Sequence, residues 1–116
     1  MGTTRKIPQE ELNGYFGAFT RRFLRDESPE TVDVEVLALE WGDQFVAHGN
    51  RLLGITYDEH AKTLDFELSE GDHRVIEPRE VWTVEESDGF ISAVQVVRPD
   101  GTRDVARVQR VDARGE

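Results

Sequence analysis

Apolar positions recur with two different periods along the chain, and the change of period separates a helix from a set of strands. Near the N-terminus they recur every three or four residues, which predicts an amphipathic helix over residues 8–25. Pro8 in the first turn and the acidic Glu10 and Glu11 favour a helix start there. The apolar stripe consists of Leu12, Tyr15, Phe16, Phe19, Phe23 and Leu24. This stripe is either a core face or a seam between two copies of the chain.

From residue 31 onwards the apolar positions alternate with polar ones, as in half-buried strands. Val32, Val34 and Val36 alternate with Asp33 and Glu35, which predicts the first strand. Turns rich in Gly, Asp and Pro separate the further strands, which are predicted over residues 44–57, 63–68, 73–76, 81–85, 90–98 and 103–111. Gly49-Asn50 interrupts the strand predicted over residues 44–57, either as a bulge or as a tight hairpin.

These elements predict an α+β fold that is mainly β. One N-terminal helix packs on a curved antiparallel meander of five to seven strands, because short connections favour antiparallel neighbours. Whether the sheet curls into a small barrel stays open. The length of 116 residues suits a single domain over residues 1–116, which ends in a short polar tail at 112–116.

The charge and the cysteine count narrow the function classes. The chain has 14 Lys+Arg against 24 Asp+Glu, a net charge of −10, and the acidic excess lies between residues 31 and 97. Such a surface repels phosphate backbones, so nucleic acid is not an expected partner. The absence of cysteine excludes disulfides and thiolate metal sites. Short apolar runs and the lack of a leader pattern favour a soluble, cytoplasmic protein without a membrane partner.

Several segments together resemble an uncharacterised family of short bacterial proteins, known only as a domain of unknown function. The matching segments are 4–8, 10–11, 42–44, 53–58, 72–73, 76, 78–80 and 100–103. The most specific one is Gly-Ile-Thr-Tyr-Asp, which ends with Tyr57 and Asp58. The resemblance implies a self-contained domain and supplies no activity, cofactor or catalytic residue.

Residues 72–80 form the segment most suggestive of a site, because alternation fails there and basic residues appear among acids. The binding candidates in it are Asp72, His73, Arg74, Glu77 and Arg79, to which Tyr57 and Asp58 are added. One interpretation is a site for an anion or a peptide on a loop held by a rigid sheet. The other is an edge segment, whose proline and charges prevent strand addition.

Other features that suggest chemistry have simpler explanations. Paired carboxylates such as Asp65 and Glu67 share a strand face at a spacing that glycosidases use, but their neighbours face the core, so these acids face water. The arginines from 98 to 114 form either an anion patch or cross-strand pairs with the acidic strands. No phosphate loop, nucleophile elbow or zinc-helix motif occurs, and no cofactor, metal or catalytic residue is predicted.

The sequence therefore favours a protein-interaction or structural module without catalytic activity, with a protein partner or a second copy of the chain. A small-molecule or anion-binding domain that uses the segment from Asp72 to Glu80 is the alternative. An enzyme with a carboxylate–histidine site is the weaker alternative, and whether the protein is an enzyme stays open.

Overall fold

The structure, a computed structural model, describes residues 2–24, 30–38 and 42–110. Within these ranges, one helical segment and eight strands make up the fold. The helical segment, here α1, starts with a 3-10 turn (Gln9–Glu11), continues as an α-helix (Leu12–Phe19) and ends in a π-helical turn (Thr20–Leu24). The strands are β1 (Thr3–Lys6), β2 (Glu30–Ala38), β3 (Gly42–Asp58), β4 (Thr63–Leu68), β5 (His73–Ile76), β6 (Glu80–Glu85), β7 (Ile91–Val97) and β8 (Arg103–Arg110).

All neighbouring strands pair antiparallel, in the order β1-β6-β7-β8-β2-β3-β4-β5. The prediction of one helix on an antiparallel sheet is confirmed. The strand number exceeds the predicted maximum by one, because β1 precedes the helix and shows no apolar alternation of its own. The order also departs from a simple meander, since β8 inserts between β7 and β2. The sheet has β1 and β5 as its two edges, so the small barrel that the sequence left open does not form.

The predicted element boundaries agree closely with the structure where it describes them. The predicted helix over 8–25 begins one residue later, and its last residue lies outside the described residues. The third predicted strand, 63–68, and the fourth, 73–76, match β4 and β5. Val111 and the polar tail predicted at 112–116 also fall outside the described residues.

Strand β3 is 17 residues long and belongs to two halves of the sheet. Its first part pairs with β2 as far as Arg51, and its second part, Leu52–Asp58, pairs with β4. The register with β2 shifts at Val46 and again around His48 and Gly49, where Gly49 has a φ of +65°. Gly49-Asn50 is therefore a bulge, as one of the two sequence interpretations had it, and β3 continues through it.

The helix packs on the concave side of the sheet and fills the core with its apolar stripe. Leu12, Phe16 and Phe19 are buried together with inward-facing residues of both halves of the sheet, which confirms the core interpretation of the stripe. The π-helical turn docks through Thr20, whose hydroxyl accepts a hydrogen bond from the Ile55 amide (3.1 Å) and donates one to the Ile55 carbonyl (3.0 Å). These bonds fix the helix against the second part of β3.

Candidate functional site

A cavity of about 480 Å³ lies where β3 separates from β4, and it is called here the β3 groove. One wall is the first part of β3, and the other is the end of β4, the turn after it and the start of β5. Its lining residues are Phe45, Val46, Ala47, His48, Asn50, Leu68, Glu70, Gly71, Asp72 and His73.

The β3 wall of the groove is a strand edge. Residues 42–50 pair with β2 on one side, whereas β4 pairs with β3 only from Leu52 onwards, so among the described strands their other side has no neighbour. Phe45 and Val46 are 60% and 49% exposed, and the shift between the pairs Val34–Ala47 and Glu35–Phe45 makes Val46 the extra residue of a bulge. At these two residues the strand presents apolar side chains to solvent, whereas Ala47 is buried in the core.

The bulge that ends this edge is held by Asp33. One carboxylate oxygen of Asp33 accepts a hydrogen bond from the Gly49 amide (2.6 Å) and lies 3.2 Å from Nδ1 of His48. The Asp33 carboxylate thereby accepts a hydrogen bond from the backbone N–H that the bulge leaves without a partner on β2. It also holds the exposed His48 at the end of the groove.

The opposite wall carries a buried ionic cluster, formed by His73, Asp104 and Arg98. Asp104 is 1% exposed, and its Oδ2 lies 2.6 Å from Nε2 of His73. The Arg98 guanidinium donates two hydrogen bonds to the same carboxylate, from Nε to Oδ1 and from Nη2 to Oδ2, each 2.7 Å long. Burial by itself raises the pKa of Asp104, but the hydrogen bonds from His73 and Arg98 outweigh it and hold that pKa below its usual range.

This cluster joins two distant parts of the sheet. Asp104 is in register with Val36 and Val96, on the core face of the half formed by β6, β7, β8 and β2. His73 belongs to the edge strand β5 in the other half. The contact therefore holds β5 across the core and fixes the ring that forms part of the groove wall.

Sequence reasoning overlooked Asp104 as part of a site. The available signal was its position in the alternation: Asp104, Ala106 and Val108 share one face of β8, and the other two are apolar. An acid in that place on a core-facing series predicts a buried carboxylate, which requires a cationic or hydrogen-bonding partner. Nothing in the periodicity indicates that the partner is His73, because the two residues are 31 positions apart.

The structure separates the candidates of the segment 72–80. Asp72 and His73 line the groove. Arg74 instead forms an ion pair with Asp65 (2.7 Å) on the solvent side of β4 and β5. Glu77 is exposed, and its amide donates to the Lys62 carbonyl (2.7 Å), while Arg79 is exposed and donates its amide to Val97 (2.7 Å).

Tyr57 and Asp58 lie away from the groove. Tyr57 is buried, and its hydroxyl accepts a hydrogen bond from Gln9 (3.2 Å) beside another cavity of about 410 Å³. Asp58 accepts hydrogen bonds from the amides of His60 and Ala61, which lower its pKa and stabilise the turn. The binding role of all seven candidates stays a prediction, and only Asp72 and His73 share one cavity.

Three of the arginines predicted from 98 to 114 form ion pairs with acids. Arg107 contacts Glu35 of the neighbouring strand β2 (3.1 Å), and Arg98 contacts Asp104 (2.7 Å). Arg110 contacts Asp88 in the turn between β6 and β7 (2.6 Å). The Arg107 pair agrees with the cross-strand alternative, and Arg114 lies outside the described residues.

Comparison with known proteins places the chain in a family. A family model described as a family of unknown function, DUF5335, matches residues 3–115. The chain belongs to the DUF5335 family. An uncharacterized protein of Aquifex aeolicus (strain VF5) is 34% identical to it over 107 residues, which cover 91% of this chain and 92% of the relative. No solved structure matches.

This membership confirms the resemblance inferred from the sequence, and it assigns no function to the DUF5335 fold. In the described part of the chain, no helix is long and apolar enough to cross a membrane. No group of three or more His, Cys, Asp or Glu side chains there has the geometry of a metal site. The groove combines a strand edge, apolar side chains, carboxylates and two imidazoles, of which His48 contacts Asp33 and His73 contacts Asp104.

Proposed function

We propose that this DUF5335 protein is an interaction module without catalytic activity, which binds an extended segment of a partner protein along the free edge of β3. The observation that carries the proposal is the combination, in residues 42–50, of hydrogen bonding on one side only and exposed Phe45 and Val46 beside the β3 groove. A bound segment adds a strand there, so that main-chain hydrogen bonds supply affinity and alternate side chains supply specificity.

The edge lacks most of the devices that prevent strand addition. Natural edges are blunted by lysine, proline, bulges or inward charges. Residues 44–47, Gln-Phe-Val-Ala, contain neither charge nor proline, and the one such device within them is a shift of the register with β2 at Val46. In contrast, β5 at the outer edge of the same half is short and is followed by Pro78 and charged residues.

The charge of the groove indicates what kind of segment fits. Glu70 and Asp72 contribute carboxylates, and no lysine or arginine is among the lining residues. Together with the net charge of −10, this favours a segment that alternates apolar and basic residues over an acidic or phosphorylated one. The same charges keep nucleic acid an unexpected partner.

The alternatives from the sequence have less support. An anion site needs the basic residues of the segment 72–80, but Arg74 pairs with Asp65, and Arg79 is not among the groove residues. An enzyme with a carboxylate–histidine site gains Glu70, Asp72 and an imidazole oriented by Asp104, yet both of these carboxylates are exposed, whereas catalytic carboxylates are usually desolvated. The cytoplasmic location stays a prediction.

The test uses a synthetic peptide as probe. A blocked heptapeptide of alternating lysine and valine is titrated into the ¹⁵N-labelled protein. We expect shifts confined to the amides of residues 43–50 and 68–73, with slower hydrogen exchange at alternate amides of 43–50. Methylating alternate backbone nitrogens of the peptide removes its ladder donors, and replacing its lysines by glutamate reverses its charge. Each change is expected to weaken binding at least tenfold.

Two protein variants complete the test. Val46→Lys places a charge on the edge and is expected to abolish binding. Leu53→Lys changes another exposed apolar residue of β3, in the part paired with β4, and is expected to bind like the parent. Equal binding of the N-methylated peptide, or unchanged binding by Val46→Lys, would contradict strand addition.

A further inference from the structure

A second apolar surface lies on the opposite side of the molecule from the helix. It is called here the outer face and is formed by β1, β6, β7, β8 and β2. Along β2, β6 and β7 the buried residues alternate with half-buried ones that point away from the core, whereas β1 is exposed throughout and the outward residues of β8 are exposed except for Val105. The half-buried apolar side chains are Leu37, Trp82, Val84, Ala93, Val97 and Val105.

This surface is unusual for the solvent side of an antiparallel sheet. Such sides are normally polar, with a clean alternation of apolar and charged residues. Here β7 contributes no charged side chain to the outer face, and a shallow cavity of about 260 Å³ lies between Trp82, Val84, Gln95 and Val105. No helix or strand of the described residues covers it, and contiguous apolar patches with a polar rim mark interaction sites.

The charges around the outer face have an ordered layout across the strands. Residues that pair across neighbouring strands form rows on one face, and the first such row is Lys6–Trp82–Gln95–Val105–Glu35. The second row is Glu80–Val97–Arg103. Both rows have β7 near their middle. On the two sides of β7 the first row carries Lys6 and Glu35, and the second carries Glu80 and Arg103.

This layout is self-complementary. A two-fold axis parallel to β7 and lying over it turns one copy onto another, so that β6 of one faces β8 of its partner. In the first row Trp82 then faces Val105, and Lys6 faces Glu35; in the second row Glu80 faces Arg103. Every charged position in the two rows meets one of opposite sign, as an isologous contact requires.

We propose that the outer face is the interface of a homodimer, in which two sheets pack face to face about this axis. Five strands about 4.8 Å apart and three side-chain rows, the third being Thr4–Val84–Ala93–Arg107–Asp33, give an interface on the order of 500 Å² per copy. In the third row Arg107 faces Val84 and keeps its ion pair with Glu35, so the matching of opposite charges is confined to the first two rows. That is near the lower limit for specific association, so the dimer is weak and depends on concentration. The inference does not rest on peptide binding at β3, although the two surfaces adjoin where Glu35 is in register with Phe45.

Sedimentation equilibrium tests the dimer directly. We expect the average mass to rise from 13.2 kDa towards twice that value between micromolar and millimolar protein. Val105→Lys is expected to remain monomeric at every concentration. Ile76→Lys, a change at an exposed apolar residue on β5, is expected to dimerise like the parent. Far-UV circular dichroism verifies that each variant is folded.

A charge exchange tests the orientation. Glu80→Lys and Arg103→Glu alone each place like charges opposite each other and are expected to weaken the dimer at least tenfold. The double variant restores opposite charges and is expected to recover most of that loss. A parent that stays monomeric at millimolar concentration, dimerisation of folded Val105→Lys, or a double variant no better than the single ones would overturn the proposal. An unfolded Val105→Lys leaves the charge exchange to decide.

Discussion

His73 Nε2 lies 2.6 Å from Oδ2 of Asp104, a carboxylate that is 1% exposed and also bound by Arg98. The three side chains come from β5, β8 and the end of β7, so one buried charge holds together strands from both halves of the sheet. The contribution of the Asp104 contacts to the free energy of unfolding can be measured directly.

Replacing Asp104 by asparagine is expected to lower the free energy of unfolding by about 1–3 kcal/mol, because asparagine has one acceptor oxygen where the carboxylate has two for the half-buried Arg98 and for His73. Urea denaturation monitored by fluorescence measures the change. Asp65→Asn is the matched control, since Asp65 is also paired with an arginine on a strand, but with Arg74 in solvent. The control is expected to lose much less, and equal losses would show that the Asp104 cluster contributes no more than a surface pair.

Acid is expected to weaken the fold through the same residue. The pKa of Asp104 is lower in the folded protein than in the unfolded chain, where an aspartate titrates near 3.9. Below about pH 4 the unfolded state therefore binds protons first, and stability that is fully present above that pH is lost as the pH falls towards the folded pKa.

Urea midpoints recorded from pH 6 down to pH 2.5 measure this loss. The parent is expected to show a steeper fall than Asp104→Asn, in which the titrating group is absent. Exposed acids whose pKa is also lowered, such as Asp58 and Asp100, are common to both proteins and cancel in the comparison. Parallel curves would show that Asp104 has no part in the acid transition.

The Thr20 hydroxyl forms two of the hydrogen bonds between α1 and β3. Thr20→Val keeps the shape but removes both hydrogen bonds to Ile55, which leaves a buried backbone amide and carbonyl unsatisfied. We expect a loss of about 1–3 kcal/mol in the free energy of unfolding. Thr20→Ser retains the hydroxyl and is expected to recover most of that loss; a serine variant as unstable as the valine variant would assign the effect to packing.

Two glycines are expected to respond in opposite directions to alanine. Gly49 has a φ of +65° at the bulge, so Gly49→Ala is expected to cost about 1–2 kcal/mol. Gly14 lies in the α-helix, and a methyl group added there meets no other atom within 4 Å. Gly14→Ala is therefore expected to add about 0.8 kcal/mol of stability. Thermal unfolding of the two variants side by side distinguishes backbone strain from a general tolerance of alanine.

The local pattern predicted most elements but not their assembly. The alternation around Val32, Val34 and Val36 identified β2 because one face of it is buried. Thr3–Lys6 has no such pattern, since all four residues of β1 are exposed and its conformation comes from pairing with β6. A strand that owes its existence to a partner some 80 positions away leaves no periodic signal in its own residues.

In the candidate site, too, the local pattern predicts one part, and the assembly of the strands decides the other. The segment from Asp72 breaks the alternation, and Asp72 and His73 line the β3 groove, while its role as a binding site stays a prediction. The opposite wall was not foreseen, because Phe45 and Val46 look like ordinary strand residues until the structure shows that β4 leaves β3 before reaching them. An unpaired edge is a property of sheet order, and sequence periodicity contains no information about it.

Because β8 lies between β7 and β2, the sheet can be completed only late in biosynthesis. A ribosome releases α1, β2 and β3 long before β8, so β2 has only one of its two neighbours until the last described strand emerges. The strands β1, β6, β7 and β8 dock onto β2 only at that moment. Nascent chains stalled before residue 103 are therefore expected to be captured by chaperones and cleaved by proteases, whereas chains released in full escape both.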